Sequence, residues 1–196
     1  MLTKFFELFR RDLKTKRLEL RILDATLENA TLVWNAIKDE NPADFAFIHF
    51  SPNFDKPLPT SLDETLETMK NYADAFKNVG VLWYVFNDGK LIGFHGVSYN
   101  QENDSVSPGN VWFVKSAWGH GFNHEIHNLL EKITFEDLHV HRMMRQCMAN
   151  NERSQKSILS SGYHLDGRLR EFARLQDGTW VDHLIFSKLA SEYKQV

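Results

Sequence analysis

The chain has 196 residues, 42% of them hydrophobic and 25% charged, a balance that fits one folded domain with a sizeable core and excludes wholesale disorder. Its 23 Lys and Arg against 26 Asp and Glu leave a net charge of -3, so a strongly cationic nucleic-acid binder is excluded and no nucleic-acid partner is expected. The longest apolar run, Val81–Phe86, is six residues, where a membrane span takes about 20. No membrane partner is expected. Charges at Lys4, Glu7, Arg10, Arg11 and Asp12 interrupt any signal peptide, and a lone Cys147 rules out an internal disulfide framework, so the expected compartment is cytoplasmic.

In chain order, Phe5, Phe6 and Phe9 make residues 1–14 a short amphipathic extension that packs on the domain or on a partner chain. Arg17–Leu23 alternates, with Leu18, Leu20 and Ile22 on one face, and predicts a half-buried strand. Thr26 caps a helix carrying Leu27, Ala30, Val33 and Ile37 at helical spacing. Four of the five prolines fall between Asn41 and Thr60, a long loop in which Phe45, Phe47, Phe50 and Phe54 either line an acceptor pocket or fill the core. Ser61 and Glu64 form a capping-box pattern for a second helix with Leu62, Leu66, Met69 and Ala73 on one side. Val81–Phe86 and Leu91–Val97 flank Asn87-Asp88-Gly89-Lys90, a hairpin pattern. A short strand at Asn110–Val114, a helix from about Phe122 to Asp137, a strand at His141–Ala149 and a helix over Glu152–Ser161, capped by Asn151 and ended by Gly162, follow. A second hairpin, Tyr163–Leu175 and Thr179–Leu189 about Gln176-Asp177-Gly178, closes a 15–190 domain and leaves 191–196 as a tail. The order is a mixed α/β fold of about seven strands and about four helices, with antiparallel hairpins and one strand-helix-strand crossover.

Between strand and helix lies Ser116-Ala117-Trp118-Gly119-His120-Gly121-Phe122. Glycines let successive backbone N–H groups converge, and a helix N-terminus adds partial positive charge, so a phosphate can be held there without cationic side chains. The third glycine of a dinucleotide fingerprint and the Gly-Lys-Ser/Thr of a Walker loop are both missing. Chemistry alone leaves a pyrophosphate site and an ordinary turn both open.

Trp118-Gly119-His120-Gly121-Phe122 with Glu125 resembles the acetyl-CoA loop of the Gcn5-related N-acetyltransferases (GNAT). Asn151-Glu152-Arg153-Ser154, Ser161-Gly162-Tyr163 and Asp166-Gly167 resemble a segment of the superfamily's RimJ/RimL branch. Arg17-Leu18-Glu19-Leu20-Arg21 is similar to that branch's opening strand, and Asp177-Gly178-Thr179-Trp180-Val181-Asp182 to its closing hairpin. The resemblance implies a mostly antiparallel central sheet splayed at the fourth strand and transfer of an acetyl group from acetyl-CoA to a primary amine, either a protein N-terminus or a small molecule. It implies that Trp112, Phe113 and Val114 offer backbone groups to the pantetheine arm and that Trp118, Gly119, His120, Gly121, Phe122, Asn123 and His124 hold the pyrophosphate. By the same resemblance Ser154 gives a proton to the departing sulfur, and Asn151 caps its helix and bonds the cofactor arm. Glu171 is the nearest carboxylate for a base, with a surface role or a water chain as the alternatives.

The chain departs from the branch at Asn123, Ser116, Asn110 and Pro108, and a non-catalytic acyl-CoA-binding module is therefore the alternative function. His120, His124 and His127 recur at i, i+4 and i+7, but no further ligand has a defined place beside them, so no metal is expected. Cys147 reads as buried packing, and homodimer formation is open.

Overall fold

A computed structural model of the chain describes residues 1–45, 57–175 and 177–194. These form α1 (Leu2–Phe9), β1 (Leu13–Lys14), β2 (Leu18–Ile22), α2 (Leu27–Ile37), α3 (Leu62–Phe76), β3 (Gly80–Asn87), β4 (Lys90–Asn100), β5 (Ser105–Phe113), α4 (Phe122–Lys132), β6 (Arg142–Met148), α5 (Glu152–Ser160), β7 (His164–Arg174) and β8 (Trp180–Leu189). The strands make one sheet in the order β1-β2-β3-β4-β5-β6-β8-β7, antiparallel except for β5 beside β6. This is the mixed α/β architecture expected from the sequence. The two-residue β1 is an eighth strand, and the Phe-rich extension supplies a fifth helix.

Local chemistry accounts for most boundaries. Thr26 Oγ1 accepts from Asn29 N at 3.2 Å and opens α2. Asp88 and Gly89, at φ 48° and 74°, turn the β3–β4 hairpin. At α3, Ser61 Oγ accepts from Glu64 N at 3.1 Å, but the Glu64 carboxylate reaches back to Thr60 N and Oγ1 and not to Ser61, so the capping box is shifted by one residue. Of the expected side Leu62, Leu66, Met69 and Ala73, Met69 is fully buried and Leu62 and Leu66 pack partly buried against the core, while Thr65 and Thr68 complete the buried face of α3. Both threonines return their hydroxyls to helix carbonyls, at Ser61 O and Glu64 O, and so pack as apolar residues.

Helices cover both faces. Phe5 of α1 stacks on Tyr99 of β4 at 5.4 Å, Phe9 lies 6.4 Å from Trp83, and His127 of α4 meets His95 of β4 at 5.0 Å. His95 and Tyr99 share one face of β4 by strand alternation, so α1 and α4 lie on that face. Phe5 and Phe9 are fully buried, worth roughly 2–3 kcal/mol each. The opposite face carries Phe94 and Trp112, and Phe45, in a 3-10 turn after α2, packs there at 6.2 Å from Trp112; α2 and α3 pack together on that side.

The strand expected at Asn110–Val114 begins at Ser105, so Pro108 lies inside it. Tyr99 N donates to Val79 O, just before β3, which by alternation sets Val97 toward β3 and leaves its partner Pro108 in a non-hydrogen-bonded pair. The N–H that proline lacks thus faces away from β4 and costs no ladder bond there.

Candidate active site

Strands β5 and β6 pair only through Ser105↔Arg142 and Val106↔Met143, and then diverge. The splay opens a cleft of about 790 Å³ that passes through the sheet. Tyr72 and Leu82 line it on the α3 side, His127, Arg145 and Asn123 on the α4 side, so two reactants can approach from opposite faces.

On the β5 wall, a bulge interrupts pairing with β4 between Phe94 and Gly96, and Asn110 sits there at φ 49°. Asparagine is among the non-glycine residues that tolerate the left-handed region best, which explains how it serves at this bulge. Val114 N donates to Ile92 O at 2.9 Å, so Val114 and, two residues back, Trp112 turn their peptide groups toward β4. Phe113 therefore aims its peptide at the open splay. Its carbonyl accepts from Trp118 Nε1 at 2.9 Å, leaving the N–H as the group offered to the cleft. The expected trio is corrected on this point: strand alternation leaves Val114 outside the lining, while Trp112 contributes its side chain and Val111 joins the wall.

The glycine loop stands at the mouth. Gly119 and Gly121 adopt φ 79° and 76°, and a Cβ on Gly119 would meet nothing within 4 Å, so left-handed backbone and not crowding calls for glycine. The loop delivers the chain into α4, whose first-turn residues Phe122, Asn123 and His124 line the cleft and whose N-terminus has no side-chain cap. Glu125 pins this loop. Its carboxylate accepts from Thr15 Oγ1, from Arg17 N at 2.8 Å and from Arg17 Nε at 2.6 Å, while Arg17 Nη1 donates to His120 O at 3.0 Å and its guanidinium lies 4.6 Å over the Phe122 ring. Burial alone would raise the Glu125 carboxyl; the Thr15 and Arg17 hydrogen bonds together outweigh it and hold the group below its ordinary range. Two segments quoted as separate motifs are thus one latch. His120 does not line the cleft: its carbonyl is committed to Arg17, and its ring stacks on Phe122 at 5.6 Å. Asn123 turns inward, its Oδ1 buried beside His95.

On the β6 wall, Asn151 Oδ1 accepts from Ser154 N at 3.1 Å and caps α5. The Ser154 hydroxyl lies beside the Cys147 thiol, which burial pushes up while Ser154 and Arg145 act in the opposite sense. Cys147 is buried as expected, yet it also lines the cleft. Arg153 crosses the mouth with its guanidinium 4.3 Å over Trp118.

Beneath α4 is a buried polar floor that sequence reasoning missed. Lys188 Nζ meets Glu131 Oε2 at 2.7 Å, with both side chains under a tenth exposed. Arg145 lies 5.4 Å from the Tyr163 ring and has a buried, unpartnered Nη1. Burial and then Arg145 lower His95 to about 3 and His127 well below its ordinary value, so both rings are neutral at neutral pH. One feature of β6 pointed to this: Met143, Arg145 and Cys147 alternate onto one face between apolar neighbours, which buries an arginine.

Glu171 is not brought to the cleft. Pairing between β7 and β8 breaks between Leu169 and Ala173, and Glu171, at φ 49°, is exposed there with its N–H donated to Asp182 Oδ1 at 2.7 Å. The bulge turns it into a separate shallow hollow with Arg168 and Asp182. Among the described residues the only carboxylate lining the cleft is Asp44, which pairs with Lys115 at 2.6 Å. Phe45 lines the cleft as well; Phe47, Phe50, Phe54 and the turn residue Gln176 lie outside the described residues. Among the described residues no three His, Cys, Asp or Glu side chains gather around a metal position, and no helix is long and apolar enough to cross a membrane.

The model of the acetyltransferase (GNAT) domain family matches residues 11–164. The chain belongs to the GNAT acetyltransferase family. Solved GNAT-type structures share its fold. An acetyltransferase from T. thermophilus is 23% identical, with 94% of this chain and 92% of that chain covered and a TM-score of 0.77. The microcin C7 self-immunity acetyltransferase MccE, solved with acetyl-CoA and AMP, is 18% identical over 89% and 93% of the two chains at a TM-score of 0.72. The ribosomal-protein-S5-alanine acetyltransferase of Vibrio fischeri is 17% identical over 94% and 99% at 0.71. Among curated proteins none matches.

Proposed function

We propose that this GNAT protein is an acetyl-CoA-dependent N-acetyltransferase acting on a primary amine. The observation that carries the reading is the β5–β6 splay opening onto a left-handed glycine loop at the start of α4. The fit is chemical. The Phe113 N–H suits an amide of the pantetheine arm, the Gly119–Asn123 amides with the α4 dipole suit a pyrophosphate, and Arg153 suits a further phosphate at the mouth. The likeness to MccE, which was solved with acetyl-CoA, supports the same choice of co-substrate.

Bound acetyl-CoA supplies a thioester whose carbonyl carbon is open to an amine. Ser154 gives a proton at the departing sulfur, held in register by the Asn151 cap. Its neighbour Cys147 stays a thiol, since burial raises it. With Glu171 outside the cleft, the amine loses its proton to water before attack. The acceptor enters from the Phe45 and Tyr72 side. A peptide α-amine is the favoured class, supported by the RimJ/RimL-type segments and by the likeness to the S5-alanine acetyltransferase. A homodimer remains compatible with this arrangement.

Calorimetry with CoA and acetyl-CoA, followed by a thiol-release assay with peptides bearing free N-termini and with small amines, tests the proposal. Saturable binding and amine-dependent release support it. Failure of both CoA and acetyl-CoA to bind overturns it, and tight binding without release for any amine favours a sensing module.

A further inference from the structure

The floor of the cleft carries more positive charge than it neutralises. Arg145 and Lys188 are each 7% exposed and Glu131 is 6% exposed, and Glu131 is committed to Lys188. His95 and His127 are neutral there, so one buried cation lacks a counter-charge. The Arg145 side chain makes no hydrogen bond to any described residue; its Nη1 is buried and unpartnered, and Arg145 is among the residues lining the cleft. Both ring nitrogens of the buried His127 are likewise unpartnered. An uncompensated buried guanidinium is costly, and a site built this way pays that cost where a ligand brings the anion.

The position of this group along the splay identifies the anion. The parallel pairs Ser105↔Arg142 and Val106↔Met143 set a register that, continued, puts Cys147 level with Asn110 and Arg145 level with Pro108. Ser154 sits beside Cys147, so the thioester end of the donor is at that level if the acetyltransferase reading holds. Arg145 is then two strand residues, about 6.6 Å, further toward the closed vertex. That is the reach of two methylenes and a carboxylate beyond a thioester carbonyl.

We propose that the closed end of the splay is an anion subsite in which Arg145, with His127, binds the terminal carboxylate of a short dicarboxylic acyl thioester. The protein thus accepts an acidic acyl donor as well as acetyl. This rests on the cleft being the acyl-CoA site. The transfer is otherwise unchanged: the amine nitrogen forms the C–N bond, the C–S bond breaks with its electron pair on sulfur, sulfur gains one proton and the nitrogen loses one, and the distal carboxylate is untouched.

The test compares succinyl-CoA with butyryl-CoA, which has the same carbon count but no carboxylate, using the full chain. Binding by calorimetry is expected to favour succinyl-CoA by tenfold or more, on the order of one charge-assisted pair. Arg145→Gln is expected to bring the succinyl-to-butyryl ratio close to one. Equal or better binding of butyryl-CoA to the wild-type protein overturns the proposal without need of any variant. A wild-type preference that Arg145→Gln leaves intact overturns the role of Arg145. Failure of CoA and acetyl-CoA to bind at all overturns instead the acetyltransferase reading beneath it.

Discussion

The two neutral histidines under α4 make stability depend on pH in a defined direction. His95 and His127 are fully buried, and their folded-state values lie below the ordinary 6.5, to about 3 for His95. Between those values and 6.5 the unfolded chain binds protons that the folded chain refuses, so stability falls as pH drops below 6.5. At pH 5.5 each ring costs ~1.4 kcal/mol relative to pH 7.5, or about 3 kcal/mol for the pair, a large share of a domain's total. Urea unfolding at pH 7.5 and 5.5 measures the swing. His127→Phe should roughly halve it, whatever it does to absolute stability. Equal unfolding free energies at the two pH values, or imidazole resonances of His95 and His127 that titrate near 6.5, would refute the reasoning.

Ser154→Ala should lower kcat by roughly 100-fold while leaving the Kd for CoA nearly unchanged; an unaltered kcat in the thiol-release assay removes Ser154 from the proton-donor role. Glu125→Gln weakens a latch whose Arg17 side chain is 42% exposed, so screening limits the loss to about 1 kcal/mol, read as roughly a fivefold rise in KM for acetyl-CoA with kcat preserved. Because the Glu125 carboxyl is held below its ordinary 4.5, the latch contributes fully above that value and is lost only as pH falls through the folded-state value. A wild-type KM that climbs already between pH 7 and pH 5 contradicts this. Lys188→Met leaves Glu131 buried and unpaired and should cost about 3 kcal/mol in urea unfolding, most of it regained in Lys188→Met/Glu131→Leu.

Local patterns carried most of the architecture. Caps at Thr26 and Asn151, the Asp88-Gly89 turn and the alternation of Leu18 and Leu20 each depend on neighbours a few residues away, and all are present. On α3 the burial of Met69 was legible but that of Thr65 and Thr68 was not, because threonines count as polar until their hydroxyls are seen to close on the helix. The site was legible where it is made of backbone, at the glycine loop, and where a motif fixes a cap, at Asn151. It was illegible wherever a long-range contact decides. The use of Glu125 by Arg17 spans 108 residues, and the union of His95, His127 and Arg145 needs β4, α4 and β6 to be packed together. Glu171 looked close to the chemistry in sequence, but a bulge with a left-handed residue at its centre turned it outward.

The account stands on one cleft holding the co-substrate between β5 and β6. A crystal structure of the protein soaked with acetyl-CoA tests this most directly. The account predicts the pyrophosphate against the Gly119–Asn123 amides, the pantetheine arm bonded to Phe113 N, and the sulfur within reach of Ser154 Oγ. Acetyl-CoA bound elsewhere, or a splay that stays without it at saturating concentration, would contradict it.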